Sequence, residues 1–226
     1  MSFYFSEAKI DRSVRGLFCL MLVLFLLIRC GNKNNEEPDL LFQLIPSDSS
    51  QINFINEIST NDNVNILTYE YLYNGGGVAV GDFNNDGLVD LFFGGNQVPC
   101  KLYINTGNFK FSDYTAHSGI DTNGIWAYGL AVVDINQDGF LDIYISAGGI
   151  GNRDIFPNQL YINQGDLTFK EEAIAYGLAD AGESMQALFF DYDRDNDLDL
   201  YLLTGGGFEK SAVIARPVVK DGSARN

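Results

Sequence analysis

From residue 78 onward the chain is written in short apolar runs separated by clusters of Asp, Asn and Gly. GVAV at 77–80, DLFF at 90–93 and LYIN at 102–105 are too short for amphipathic helices and rich in β-branched and aromatic residues, which predicts strands. GLAVV with DIYI, and then ALFF with DLYL, return in the same order, and LYIN returns at 160–163. Apolar residues occupy both faces of these strands, so each sheet has to be covered on both sides.

The recurrence is a repeat. GDFNNDGLVDLFFGGN at 81–96, VDINQDGFLDIYISAGG at 133–149 and FDYDRDNDLDLYLLTGGG at 190–207 superimpose without gaps through their acidic stretches, whose first aspartates lie 52 and then 57 residues apart. KLYINTGNFKFSDYTAHSGI at 101–120 returns as QLYINQGDLTFKEEAIAYGL at 159–178. Self-similarity at this period marks stacked units that bury their apolar faces on one another. Each unit reads as strand, acidic turn, strand, Gly-rich turn, strand and short strand, which is a four-stranded blade. The predicted fold class is all-β, a partial β-propeller, with helix scarce.

These strings resemble FG-GAP or VCBS repeats. YNGGGVAVGDFNNDGLVDLFFGGN followed by KLYINTGNFKF is similar to bacterial exported proteins carrying the ASPIC/UnbV-type assembly, and the likeness spans residues 40 to 207. The resemblance implies an exported β-propeller with calcium in its blade loops, often followed by a further C-terminal domain. A closed propeller needs roughly four to eight blades, so three acidic loops read as the N-terminal part of a longer ring. The expected organisation is an export signal at 1–30, a polar tether at 31–39, and three repeats at 78–207. Residues 40–77 are read as an N-terminal β segment that donates strands to the first blade or closes the ring. Residues 208–226 are read as an irregular or truncated tail.

The acidic loops carry the chemistry. In D-x-N-x-D-G-x-x-D, side-chain oxygens at positions 1, 3, 5 and 9 and the backbone carbonyl of position 7 can converge on one point, a hard-oxygen set that suits calcium. The first loop offers Asp82, Asn84, Asp86, Asp90 and the Leu88 carbonyl; the second offers Asp134, Asn136, Asp138, Asp142 and the Phe140 carbonyl. The third offers Asp191, Asp193, Asp195, Asp199 and the Asp197 carbonyl, with Asn196 in place of the turn glycine. Asn tolerates the left-handed backbone better than most residues. About three structural Ca2+ ions are therefore expected, because carboxylates about 4 Å apart repel by roughly 4 kcal/mol per pair when unscreened by a cation. An EF-hand is excluded, since the places of its bidentate Glu hold Phe93, Ile145 and Leu202. Plain polar β-turns are the competing reading, set against three copies with one ligand spacing.

Charge narrows the partners. The formal net charge is −16, and the three loops hold 11 of the 30 acidic residues, so nucleic acid is excluded as a partner by overall repulsion. At the N-terminus, Lys9, Arg12 and Arg15 precede the apolar run at 16–28, an export-signal pattern. With Cys30 and the polar stretch after it, this resembles a bacterial lipoprotein signal in which Cys30 is lipidated; Arg29, where that pattern has a small residue, leaves an uncleaved short anchor as the other reading. The expected location is the bacterial cell envelope, facing the periplasm or the cell surface, with membrane contact only through that lipid anchor or N-terminal segment. Beyond residue 30 only Cys100 remains, so no internal disulfide framework exists there.

No nucleophile elbow, zinc-protease pair or phosphate loop is present, and the single histidine, His117, has no histidine at its repeat counterpart. No enzyme is predicted. Trp126 and Tyr128, just before the second loop, are either core residues or aromatics that stack on a ligand. The expected function is a calcium-stabilised surface module that binds a glycan or a protein. The alternative is the propeller scaffold of a carbohydrate-active enzyme whose catalytic part lies outside this chain.

Overall fold

The structure, a computed structural model, describes residues 41–148 and 156–205 and the backbone of 214–217. The chain divides into two compact units, 1–44 and 45–226. Of the first, only 41–44 are described, so the export-signal reading and Cys30 lie outside the described residues. Among the described residues no helix is long and apolar enough to cross a membrane.

The second unit is nearly all β. One four-stranded antiparallel sheet runs in the order β1 (Val78–Gly81), β2 (Asp90–Phe93), β3 (Lys101–Asn105) and β4 (Phe111–Asp113). The next repeats it with β5 (Trp126–Val133), β6 (Asp142–Gly148), β7 (Gln159–Asn163) and β8 (Phe169–Glu171). The third contains β9 (Ser184–Phe190), β10 (Asp199–Thr204) and β11 (Ile214–Pro217). These are propeller-type blades, each an up-and-down meander. β11 falls inside the stretch read as an irregular tail and pairs antiparallel with β10, Leu200 opposite Arg216. The helices α1 (Ser47–Ser50) and α2 (Thr115–Ser118) are single turns.

The period-two alternation of the strands decides which blade each side chain meets. On β6, Ile143 and Ile145 enter the layer shared with the first blade, beside Phe83, Phe92, Leu102 and Ile104. Tyr144 between them points the other way, into the layer with Ala187, Leu200 and Leu202 of the third blade. Its ring stands edge-on to Phe189 at 5.4 Å, and its hydroxyl donates to the Leu178 carbonyl at 2.9 Å. Each fully buried aliphatic or aromatic side chain in these layers contributes about 1.5–3 kcal/mol.

Repeat register leaves one face of the third blade exposed among the described residues. Phe83 and Phe92 are buried against the second blade, and their counterparts Ile135 and Tyr144 against the third. The next counterparts, Tyr192 and Tyr201, are 77% and 38% exposed, and Leu188 is 58% exposed.

Residues 41–77 form no strand, contrary to the expected N-terminal β segment. Asn and Ser side chains satisfy the backbone locally: Asn61 Oδ1 accepts from the Asn63 and Val64 amides, and Asn65 Oδ1 from Leu67 and Thr68. Such bonds compete with a sheet ladder. Residues 53–56 instead lie against the first blade. The Tyr103 hydroxyl donates to Asn53 Oδ1 at 2.8 Å, Phe54 stacks on Phe93 at 5.2 Å, and Asn56 donates to Asn96 at 2.6 Å.

Further along, Tyr69 and Leu72 pack on Trp126 and Tyr128. The β5–β6 register shifts between Ala127 and Leu130, and this bulge carries Tyr128 and Gly129. The Tyr128 carbonyl accepts from the Gly77 amide at 2.6 Å. Gly129 lets the third blade approach, since a Cβ there would overlap Gln186 and the Met185 carbonyl.

Candidate metal centre

Each acidic loop joins the first strand of a blade to the second, and its turn is set by local chemistry. In the first loop, Asp82 Oδ1 accepts from the Asp86 amide at 3.1 Å and Oδ2 from Gly87 at 2.8 Å, while Asp86 Oδ1 accepts from Leu88 at 2.8 Å. In the second, the equivalents are Asp134 with Asp138 and Gly139, both at 3.0 Å, and Asp138 with Phe140 at 2.9 Å. In the third, Asp191 takes Asp195 and Asn196 at 3.2 Å, and Asp195 takes Asp197 at 3.1 Å. The three loops are one structure repeated. Left-handed backbone recurs at position 4, as Asn85, Gln137 and Arg194, and at position 6, as Gly87, Gly139 and Asn196, whose φ is 70°. Asn196 thus does the work of the glycine, as its tolerance of that region predicts.

Positions 1, 3 and 5 gather at the loop surface. In the third loop, one carboxylate oxygen from each of Asp191, Asp193 and Asp195 lies within 4.8 Å of the others. In the first two loops the middle member is an amide: Asn84 Oδ1 accepts from the Asp86 amide at 3.1 Å and its Nδ2 donates to Asp86 Oδ2 at 2.9 Å, and Asn136 repeats both bonds with Asp138. The donor set is all hard oxygen, with no thiol or imidazole among these residues, so its chemistry fits a divalent cation such as calcium.

Position 9 is placed differently. Asp90 and Asp142 are fully buried. Asp90 accepts from the Phe83 amide at 3.0 Å and the Asn105 amide at 2.8 Å; Asp142 accepts from Ile135 at 3.0 Å and Asn163 at 2.8 Å. Asp199 accepts from Tyr192 at 2.8 Å. One carboxylate therefore closes its loop and ties it to the third strand of the blade. Burial pushes the Asp142 carboxyl up to about 6, a shift opposed by the two amide donors and reinforced by the nearby Asp138 and Asp134 charges. Burial raises Asp90 in the same way. In the third loop Asp193 is raised by desolvation and then by the Asp195 and Asp199 charges, and Asp197 by its hydrogen bond to Asp195.

Two asparagines join the site that loop spacing did not nominate. Asn105 donates to the Val89 carbonyl at 2.9 Å, and Asn163 donates to the Leu141 carbonyl at 3.2 Å and, across the blade boundary, to the Phe83 carbonyl at 2.8 Å. The repeated LYIN was the available signal. Leu88, Phe140 and Asp197, the position-7 residues, sit where each loop leaves toward its second strand.

Trp126 and Tyr128 do not face a ligand. They are 2% and 6% exposed beneath Tyr69 and Leu72, which leaves no face for a sugar ring. His117 is exposed on α2 and lies against Tyr114, ring centres 5.2 Å apart. Cys100 is a buried free thiol that accepts from the Gly95 amide, with burial raising its pKa.

Residues 82–145, which take in the first two acidic loops and the strands that flank them, match the FG-GAP-like repeat family. The chain is similar to cartilage acidic protein 1 of Mus musculus and of Homo sapiens, each 26% identical over 203 residues, and of Xenopus tropicalis, 27% identical over 201 residues. Each alignment covers 87% of this chain and 28% of the relative. The chain thus spans under a third of the length of these relatives.

Proposed function

We propose that this chain is an exported, calcium-stabilised repeat module that acts through binding, with a glycan or protein as its ligand, rather than through catalysis. The observation that carries the reading is the threefold repetition of one hydrogen-bonded loop presenting carboxylate or amide oxygens at positions 1, 3 and 5. In the first loop Asp82, Asn84 and Asp86 would hold the ion, in the second Asp134, Asn136 and Asp138, and in the third Asp191, Asp193 and Asp195. The position-7 carbonyls and the position-9 carboxylates would complete the shell. Calcium accepts six to eight oxygens in irregular arrangements, which suits these loops better than the near-ideal octahedron magnesium demands. The ion would neutralise carboxylates that otherwise repel one another beside the blade layers. The FG-GAP-like match and the likeness to a protein named for its acidity, alongside a net charge of −16, support the class. Export and a lipid anchor at Cys30 belong to the same proposal.

The test is a calorimetric calcium titration with thermal unfolding on the same samples. The wild-type chain is compared with an Asp82→Ala, Asp134→Ala, Asp191→Ala variant. About three ions bound at roughly 0.1–1 mM, the range of extracellular modules, with a higher melting temperature that the variant lacks, is the expected result. A folded wild-type chain that takes up no calcium overturns the proposal.

A further inference from the structure

The loops touch one another. Asn85 Nδ2 donates to the Gly139 carbonyl of the second loop at 3.0 Å, across 54 residues of sequence. Gln137 Nε2 donates to the Asn196 carbonyl of the third loop at 3.0 Å, across 59. Both donors occupy position 4 of their own loop, both have left-handed backbones with φ of 57° and 59°, and both acceptors occupy position 6 of the next loop. Position 4 is never acidic, although it sits between the acidic or amide residues of positions 3 and 5. It is Asn, Gln and then Arg194, each a side chain with N–H donors.

Both ends of this bond are tied to cation-holding residues. Asn85 stands between Asn84 and Asp86, so a cation that draws those two together fixes the backbone from which the Asn85 side chain reaches out. Its acceptor, the Gly139 carbonyl, belongs to the peptide whose other end is the Phe140 amide, and that amide donates to Asp138 Oδ1 at 2.9 Å. Orienting this peptide therefore orients Asp138. A second, buried bridge runs in parallel: the Asn163 amide donates to Asp142 of the second loop, and the Asn163 side chain donates to the Phe83 carbonyl of the first.

We propose that Asn85 and Gln137 are positioning residues that couple neighbouring cation loops, so that filling one raises the affinity of the next. The inference rests on the calcium reading above. Two sites that bias one shared element are coupled reciprocally, and an ordering cost met by the first ion is not met again by the second. For one exposed neutral hydrogen bond, the expected coupling is about threefold to tenfold in affinity.

The experiment uses the full chain with the third loop disabled by Asp191→Ala and Asp195→Ala, leaving two coupled sites. Calorimetric titration with CaCl2 should give two ions, the second bound more tightly than independent sites allow. Asn85→Ala should keep two ions and a cooperatively folded chain, with thermal unfolding in chelator lowered only modestly by the lost bond and the left-handed backbone, yet bind the ions independently. Asn85→Gln, which carries the amide that stands at this position in the second loop, should restore the coupling. A role confined to folding would not remove cooperativity while leaving stoichiometry and a cooperatively folded apo chain intact. Independent binding in the parent, or coupling that survives Asn85→Ala, overturns the inference while leaving the calcium reading standing. Zero ions bound overturns both.

Discussion

Replacing Asp142 with Asn separates the two tasks of an acidic loop. The Asp142 carboxylate is fully buried, with one oxygen accepting from the Ile135 amide at 3.0 Å and the other from the Asn163 amide at 2.8 Å. An Asn there keeps one acceptor and presents an NH2 group to the other amide, which leaves a buried N–H facing a donor. An unsatisfied buried donor costs about 1–3 kcal/mol, and the bond that remains is no longer charge-assisted. Relief of repulsion from Asp134 and Asp138 opposes part of this loss. The net expectation is about 2–3 kcal/mol, which for a chain of this size lowers the melting temperature by about 5–10 °C.

Asp138→Asn is the control, because Asp138 is exposed and Asn retains the oxygen that accepts from Phe140. In chelator it should change stability by less than about 0.5 kcal/mol. With calcium present, it should weaken ion uptake. Urea unfolding in chelator and in calcium reads both effects. An Asp142→Asn loss below about 0.5 kcal/mol in chelator, or an equal loss for Asp138→Asn, refutes the assignment of position 9 to the fold.

Four further outcomes follow from the packing. Tyr144→Ala empties a fully buried site between blades and should cost about 3–5 kcal/mol in urea unfolding, whereas Tyr201→Ala, its repeat counterpart on the open face, should cost about 1 kcal/mol or less. Gly129→Ala forces a Cβ into the Met185 carbonyl and Gln186 at the bulge, and the same assay should register a loss of about 1–3 kcal/mol. Cys100 should resist iodoacetamide in the native chain and react fully in urea, read by peptide mass spectrometry, because burial both shields its thiol and disfavours the thiolate. Quenching of Trp126 fluorescence by acrylamide should be weak until unfolding, since its ring lies under Tyr69 and Leu72.

The blades and loops were legible in the chain because their causes are local. Short runs of β-branched and aromatic residues bounded by turn residues favour strands locally, and Asp, Asn and Gly at fixed offsets specify a turn through bonds spanning two to five residues, such as those of Asp82 to Asp86 and Gly87. Tertiary structure decided what lies across longer spans. Residues 53–56 alternate between exposed and half-buried positions yet lie as irregular chain on Phe93, Asn96 and Tyr103, because their own asparagines and the first blade's side chains satisfy them better than a ladder. Trp126 and Tyr128 have the same composition whether they face a ligand or a core, and only the chain folding back through Tyr69 and Leu72 covers them. Asp90 and Asp142 occupy ligand positions by spacing, but their burial and their amide partners on β3 and β7 exist only once the blade has closed. The bonds from Asn85 to Gly139 and from Asn163 to Phe83 span 54 and 80 residues, so no local pattern encodes them. They arise because stacking the blades brings the loops to one edge.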